Sequence, residues 1–303
     1  MSRPATFTPP PGTRAHRLRT ARGDFAALTG EPAEGPVLGT ALLLPGFTGS
    51  KEDFIELHAP LSAAGYRTVA VDGRGQYESE GPKDDERPYQ QRELARDVLA
   101  QVAALRTGEG TDEGTGEGTG AGVGRVHLLG HSLGGLVARA AVIEDPAPFA
   151  SLTLMSSGPA AVAPPQQERA KLLQDALAVL DMGQVWEAIQ GLDAPEDAAD
   201  LRGDGEDLRR RWMRNSPAQL IATAGQLRAE PDRVDELAAL GLAIHVLSGE
   251  RDDTWPVPLL DDMAARLGAE RTVVAGAEHS PNTDRPGATA AALAAFWDRH
   301  PAA

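Results

Sequence analysis

The sequence predicts an α/β fold, a mostly parallel central sheet flanked by helices. Three observations predict it. Short apolar runs rich in β-branched residues and Leu alternate along the chain with longer stretches whose apolar residues recur at helical spacing. The short runs are mostly apolar, as strands covered on both faces are. Finally, 33 Gly and 23 Pro among 303 residues supply turns between many short elements.

Strands are expected over Thr40–Leu44, Tyr66–Val71, Gly124–Leu129, Ser151–Ser156, Leu242–Leu247 and Glu270–Val274. Helices are expected between and after them, over Glu52–Ala64, Pro88–Leu105, Leu133–Glu144, Val257–Leu267 and Gly287–Arg299. Ahead of these, the loose alternation of His16–Ala27 around Gly23 reads as an antiparallel hairpin on the sheet edge. Two stretches break the rhythm. Thr107–Gly124 is a Gly, Thr and acidic run that follows a helix and opens a strand, the reverse of a phosphate-binding glycine loop, so it reads as a solvated insertion. Residues 159–240 lack a strand-like run and carry apolar stripes (Leu172, Leu173, Ala176, Leu177, Leu180; Val185, Trp186, Ile189), which predicts a helical insertion. The expected organisation is a core of residues 1–158 and 241–303 with a helical cap of 159–240.

The 29 Lys and Arg against 44 Asp and Glu give a net charge of −15, which repels nucleic acid and anionic membranes. No uncharged apolar run approaches the roughly 18 residues of a membrane span. The absence of Cys excludes disulfides, thiolate metal sites and a Cys nucleophile. No apolar stretch follows the first basic residue, so a cytoplasmic protein is expected.

The strongest local signal is Gly130-His131-Ser132-Leu133-Gly134-Gly135, between the apolar run Val126–Leu129 and a helical run. A strand turning sharply into a helix puts Ser132 in a strained conformation that small neighbours at Gly130 and Gly134 permit, with its hydroxyl exposed above the sheet. The same turn sets the Leu133 N–H at a helix N-terminus, where developing negative charge is favoured. A serine nucleophile needs a base at the same sheet edge. Among seven histidines, His127 and His245 lie inside expected strands, His131 is part of the turn, and His16, His58 and His300 lie elsewhere. His279 remains, on a Gly-containing loop after Thr272-Val273-Val274. The base needs a carboxylate to fix its tautomer. Asp252, three residues past Gly249 at a strand end, is the first candidate, with Asp253 in reserve. Leu44-Pro45-Gly46-Phe47-Thr48-Gly49-Ser50 follows the first core strand and offers the Phe47 N–H as a second oxyanion donor beside that of Leu133, with Ser50 placed to cap the next helix. Trp186, Trp212, Met213 and Trp255 are the candidate apolar substrate wall.

Together these segments resemble the α/β-hydrolase superfamily over nearly the whole chain, from about residue 15 onward. The order Ser132, Asp252, His279 is the order used there, and the helical insertion falls after the sixth strand, where a cap is common. Val71-Asp72-Gly73-Arg74-Gly75-Gln76-Tyr77-Glu78-Ser79 is similar to that superfamily's Asp-x-Arg-Gly-x-Gly-x-Ser loop, and Asp72 and Arg74 are expected to pair beneath the site. Two positions depart from the pattern. Pro45 stands where many members have His, which removes one polar support of the oxyanion turn, and Tyr77 replaces a glycine, which adds bulk near the expected pocket mouth. Ser132 separates the chain from dehalogenases and epoxide hydrolases, which have Asp there, and Gly-His-Ser-Leu-Gly from the Gly-Gly-Ser-Trp-Gly of proline iminopeptidases. The resemblance implies a serine hydrolase acting on a small-molecule carboxylic ester or related acyl compound, with no metal or organic cofactor. Amidase, thioesterase, cofactor-free perhydrolase and a non-catalytic small-molecule receptor are the alternatives.

Overall fold

The computed structural model describes residues 2–108, 123–192 and 201–302. Most of the glycine- and acid-rich stretch 107–124 lies outside them. A hairpin of β1 (Thr13–Thr20) and β2 (Gly23–Gly30) opens the chain, followed by β3 (Gly39–Leu44), α1 (Ile55–Ala63), β4 (Tyr66–Val71), α2 (Gln91–Thr107), β5 (Val126–His131), α3 (Leu133–Glu144) and β6 (Phe149–Met155). Five helices then precede the next strand: α4 (Pro164–Leu177), α5 (Met182–Leu192), α6 (Leu201–Arg214), α7 (Pro217–Ala229) and α8 (Val234–Ala238). The chain ends with β7 (Ala243–Gly249), α9 (Val257–Leu267), β8 (Glu270–Val274), the short α10 (Pro281–Asp284) and α11 (Pro286–Arg299).

The eight strands form one sheet in the order β1-β2-β4-β3-β5-β6-β7-β8. Pairing is antiparallel for β1/β2 and β2/β4 and parallel from β4 to β8. Because side chains alternate across a strand, Leu42 and Leu44 pack with α2, α3 and α9 on one face, and Ala41 and Leu43 with α1 and α11 on the other. Both layers are buried, which is why the parallel strands read as largely apolar runs. Two helices start later than expected. The helix expected from Pro88 opens as a tight turn, Arg87–Tyr89, with α2 following at Gln91. Likewise Lys51–Phe54 is a 3-10 turn before α1, and the Asp53 carboxylate accepts the Ser50 N–H at 3.2 Å. Pro88 has no N–H for the helical ladder and so suits the opening turn ahead of α2, whereas the turn before α1 contains no proline. Among the described residues no helix is long and apolar enough to cross a membrane.

Parallel pairing aligns the carboxyl ends of β3, β5, β7 and β8. The segments after those ends carry Phe47, Ser132, Asp252 and His279, and the helices between β6 and β7 form the cap.

Candidate active site

Ser132 is the single residue between β5 and α3, with φ 54° and ψ −121°. Such a backbone is strained for a side-chain-bearing residue, and it is held from both sides: the Ser132 N–H donates to the Met155 carbonyl at 2.9 Å and the Gly135 N–H to the Ser132 carbonyl at 2.9 Å. The strain points the hydroxyl toward the cap rather than into the sheet. At position 134 a Cβ would lie 2.5 Å from the carbonyl oxygens of Leu44 and Pro45, so only glycine lets α3 start this close to the turn after β3.

His279 Nε2 lies 3.1 Å from Ser132 Oγ, and His279 Nδ1 lies 2.9 and 3.0 Å from the two Asp252 oxygens. The carboxylate only accepts, so Nδ1 carries the hydrogen and Nε2 faces the hydroxyl with its lone pair. The Asp252 carboxylate is buried, and its Oδ1 also accepts the N–H groups of Thr254 at 2.8 Å and Trp255 at 3.1 Å. Adjacent Asp253 points the other way. It is 71% exposed at the rim, where it accepts from Gln166 at 2.7 Å and faces Arg169 at 3.8 Å. The structure thus brings Asp252 to His279 and leaves Asp253 apart.

The turn after β3 packs against the Ser132 turn. A Cβ at Gly46 would be 3.3 Å from both Ser132 Cβ and His131 Nδ1, and Phe47 borders the same cleft as Ser132. The polar support that Pro45 lacks comes from Gln76, whose Nε2 donates to the Gly46 carbonyl at 2.9 Å. Spacing gave no sign of this. His131 was also passed over: its Nε2–H donates to the His279 carbonyl at 2.9 Å and so ties the loop of His279 to the serine turn. Burial pushes the His131 imidazole down to about 4, which keeps it neutral in this role.

The cleft over Ser132 has a volume of about 450 Å³. Among the described residues its apolar lining is Phe47 from the turn after β3 and Val162, Ala170, Leu173 and Leu227 from the cap. Trp186, Trp212, Met213 and Trp255 are not on it. Trp186 and Trp212 are buried with Leu177, Val185, Leu208 and Leu220 in a separate core inside the cap, and Trp212 Nε1 donates to the Met182 carbonyl at 2.7 Å. Leu177, Val185 and Trp186 of the apolar stripes turn toward neighbouring cap helices, whereas Leu173 faces the cleft and Leu172 and Leu180 are exposed. Trp255 lies below the cleft, 6.4 Å from the His279 ring between centroids, with Nε1 donating to the Ala160 carbonyl at 2.9 Å. Met213 borders a second cleft beside Tyr77.

The Asp72–Arg74 pair expected beneath the site does not form. Asp72 accepts the backbone N–H of Lys51 at 2.7 Å and its buried ammonium at 3.0 Å, while Arg74 turns to α2 and meets both oxygens of Asp97 at 2.6 and 2.7 Å. Each charge found a partner nearer than the other. Tyr77 keeps the positive φ, 37°, that explains a glycine at this place in similar loops. Its ring lies between Lys51 and Arg214, 4.8 and 5.5 Å from the cations, so its bulk falls outside the Ser132 cleft.

A mostly parallel sheet with a strained serine between strand and helix, and a helical cap over its carboxyl edge, defines the α/β-hydrolase fold. The chain belongs to the alpha/beta hydrolase family, whose family model matches residues 41–292. It is 32% identical over 148 residues, 48% of this chain and 47% of the relative, to the "Putative carbamate hydrolase RutD" of Variovorax paradoxus. It is 34% identical over 176 residues, 53% of this chain and 65% of the relative, to a pimeloyl-acyl-carrier-protein methyl ester esterase of Aeromonas hydrophila. Both matches span less than two thirds of the relative's length. Among solved structures, a hydrolase from Pseudomonas aeruginosa superposes with a TM-score of 0.72 at 22% identity, covering 93% of this chain and 98% of that one, a likeness of fold.

Proposed function

We propose that this protein is a serine hydrolase of carboxylic esters or closely related acyl compounds, working through an acyl-enzyme on Ser132. The hydrogen-bonded chain from Ser132 through His279 to Asp252, at the floor of a cleft, is the observation that carries this reading. The names of the two curated relatives, an esterase and a carbamate hydrolase, point to the same class of chemistry.

Ser132 Oγ attacks the substrate carbonyl carbon while His279 Nε2 takes the hydroxyl proton, and Asp252 stabilises the resulting imidazolium without itself being protonated. The carbonyl π pair moves onto oxygen, where the N–H groups of Phe47 and Leu133 receive it, the second aided by the start of α3. Collapse of the tetrahedral species breaks the bond to the leaving alkoxide, which takes the proton back from Nε2. Water then repeats the sequence on the acyl-enzyme, its proton going to Nε2 and on to Ser132 Oγ as the acid departs. No step calls for a metal or an organic cofactor. A cleft of about 450 Å³ with an apolar cap wall suits small acyl substrates of short to medium length.

The test is a series of p-nitrophenyl esters of rising chain length beside the matching anilides, with a fluorophosphonate probe to label the nucleophile. Turnover of esters together with labelling that vanishes in Ser132→Ala is the expected result. Folded Ser132→Ala with parental turnover, or tight reversible ligand binding by a parent that neither labels nor turns over, overturns the reading, and the second outcome makes the protein a receptor.

A further inference from the structure

A buried ion pair lies behind the turn that bears Phe47, and nothing in the triad chemistry uses it. Asp53 and Arg211 are both essentially inaccessible to solvent, with Arg211 Nη1 2.7 Å from Asp53 Oδ1. Asp53 follows the turn of residues 46–50 and its Oδ2 accepts the Ser50 N–H. Arg211 comes from cap helix α6, 158 residues away along the chain. Two other segments converge on the pair. Asn282, three residues past His279, donates from Nδ2 to the Asp53 carbonyl at 2.7 Å, and Arg211 Nη2 donates to the Ser2 carbonyl at 2.6 Å with the guanidinium 5.6 Å over the Phe7 ring. Asp53 and Ser2 also border the Ser132 cleft. The Asp53 carboxylate thus joins the Gly46–Ser50 turn to the cap, its backbone carbonyl takes in the loop of His279, and Arg211 adds the N-terminal segment.

We infer that Asp53 and Arg211 are positioning residues that fix the Gly46–Ser50 turn, and with it the Phe47 N–H, so that the oxyanion site is correctly formed only when the cap is docked. The inference rests on the serine hydrolase reading above. Two charges are an unusual choice for a purely structural contact at this depth, because burying an ion pair gains little over well-packed apolar groups. What a charged pair adds is direction. Arg211 pulls on one oxygen of Asp53 while the Ser50 N–H binds the other, which leaves the turn a single orientation relative to α6. An apolar contact would permit sliding, and errors of about 1 Å in a donor's placement cost on the order of a hundredfold in rate.

Removing one charge strands the other, so single variants risk misfolding. The decisive variant is the double substitution Asp53→Asn with Arg211→Met, which leaves no buried charge, examined beside Ser132→Ala and the parent. A cooperative melt establishes that it folds. The expected result is a fall in kcat of about tenfold to a hundredfold on a p-nitrophenyl ester with KM within threefold, since only the transition state presents an oxyanion. The inhibition constant of a trifluoromethyl ketone, which presents that oxyanion as a hemiketal on Ser132, should rise by the same factor. A folded double variant with kcat and ketone affinity within threefold of the parent overturns the inference. So does a fall in which the ketone does not share. If the parent itself fails to turn over the ester and Ser132 does not label, the hydrolase reading falls and this inference with it; labelling of the parent separates the two failures. Should the double variant not melt cooperatively, Arg211→Lys decides, because it keeps the charge but not the fork: a parental melt with weakened ketone binding supports the inference, and parental ketone binding overturns it.

Discussion

Gly134→Ala puts the proposed oxyanion site under a defined load. The new Cβ would stand 2.5 Å from the carbonyl oxygens of Leu44 and Pro45. Non-bonded heavy atoms are comfortable at about 3.5 Å, so roughly 1 Å must be opened. Both obstacles are backbone, and no side chain can rotate to relieve them. Either the end of β3 retreats with the Phe47 N–H, or the start of α3 retreats with the Leu133 N–H. Whichever moves, the two donors separate. A misplacement of about 1 Å costs on the order of a hundredfold, and loss of one donor about 10² to 10³ in kcat. Overpacking a dense interior adds about 1–3 kcal/mol of destabilisation. At about 2–4 °C per kcal/mol for a chain of a few hundred residues, the Tm should fall by roughly 2–12 °C. The assay pairs ester turnover with a thermal melt, and Gly287→Ala serves as the control because a Cβ there meets nothing within 4 Å. Gly134→Ala with parental kcat and an unmoved Tm would refute the reasoning, since the turn after β3 would then have room it is argued not to have.

Asp252→Asn removes the negative charge and replaces one of the two oxygens facing His279 Nδ1 with an N–H donor, which favours the wrong tautomer, and kcat should fall by about 10⁴ with the fold intact; a loss under tenfold would mean that another group orients the base. His58, His127, His131 and His245 are buried and held down to about 4 by desolvation, against about 6.5 when unfolded. In the native state they therefore bind fewer protons, so stability is fully present above pH about 6.5 and is lost as the pH falls toward about 4. Denaturant midpoints should drop across that window with proton uptake on unfolding near pH 5, and a flat profile from pH 6.5 to 4.5 would contradict the neutral burial. Trp212→Phe deprives the Met182 carbonyl of its donor and should cost about 1–2 kcal/mol with KM within twofold, because the ring belongs to the cap's own core. A fivefold shift in KM at unchanged Tm would return Trp212 to the substrate wall.

The features legible in the sequence are those set by local pattern. A parallel strand covered by helices on both faces is mostly apolar, so β3, β4, β5 and β7 announce themselves, and the strand–turn–helix at Ser132 is written in six consecutive residues. Which loops share the sheet edge also follows, because parallel strands all end on one side. Pairings between distant segments do not follow. Asp72 and Arg74 are two apart and look like partners, yet Lys51 and Asp97 take them, since a turn of that tightness sends neighbouring side chains in different directions. Helical periodicity shows that Trp186 and Trp212 are buried but not against what, and in a cap that has its own core the answer is other cap helices.

Asp253 and Asp252 illustrate the same division at the smallest scale. They are adjacent and identical in chemistry, and composition ranks neither. What separates them is that the Thr254 and Trp255 N–H groups fold back onto Asp252 and aim its carboxylate inward, whereas Asp253 is directed at α4. The inward aim depends in turn on Trp255, whose buried ring and bond to the Ala160 carbonyl fix the loop from below. An aromatic residue expected to touch substrate thus acts one step further back, on the carboxylate that accepts from His279. Long-range contacts of this kind, like that between Asp53 and Arg211, decide how well the site is formed, and they leave no trace in the spacing of either partner.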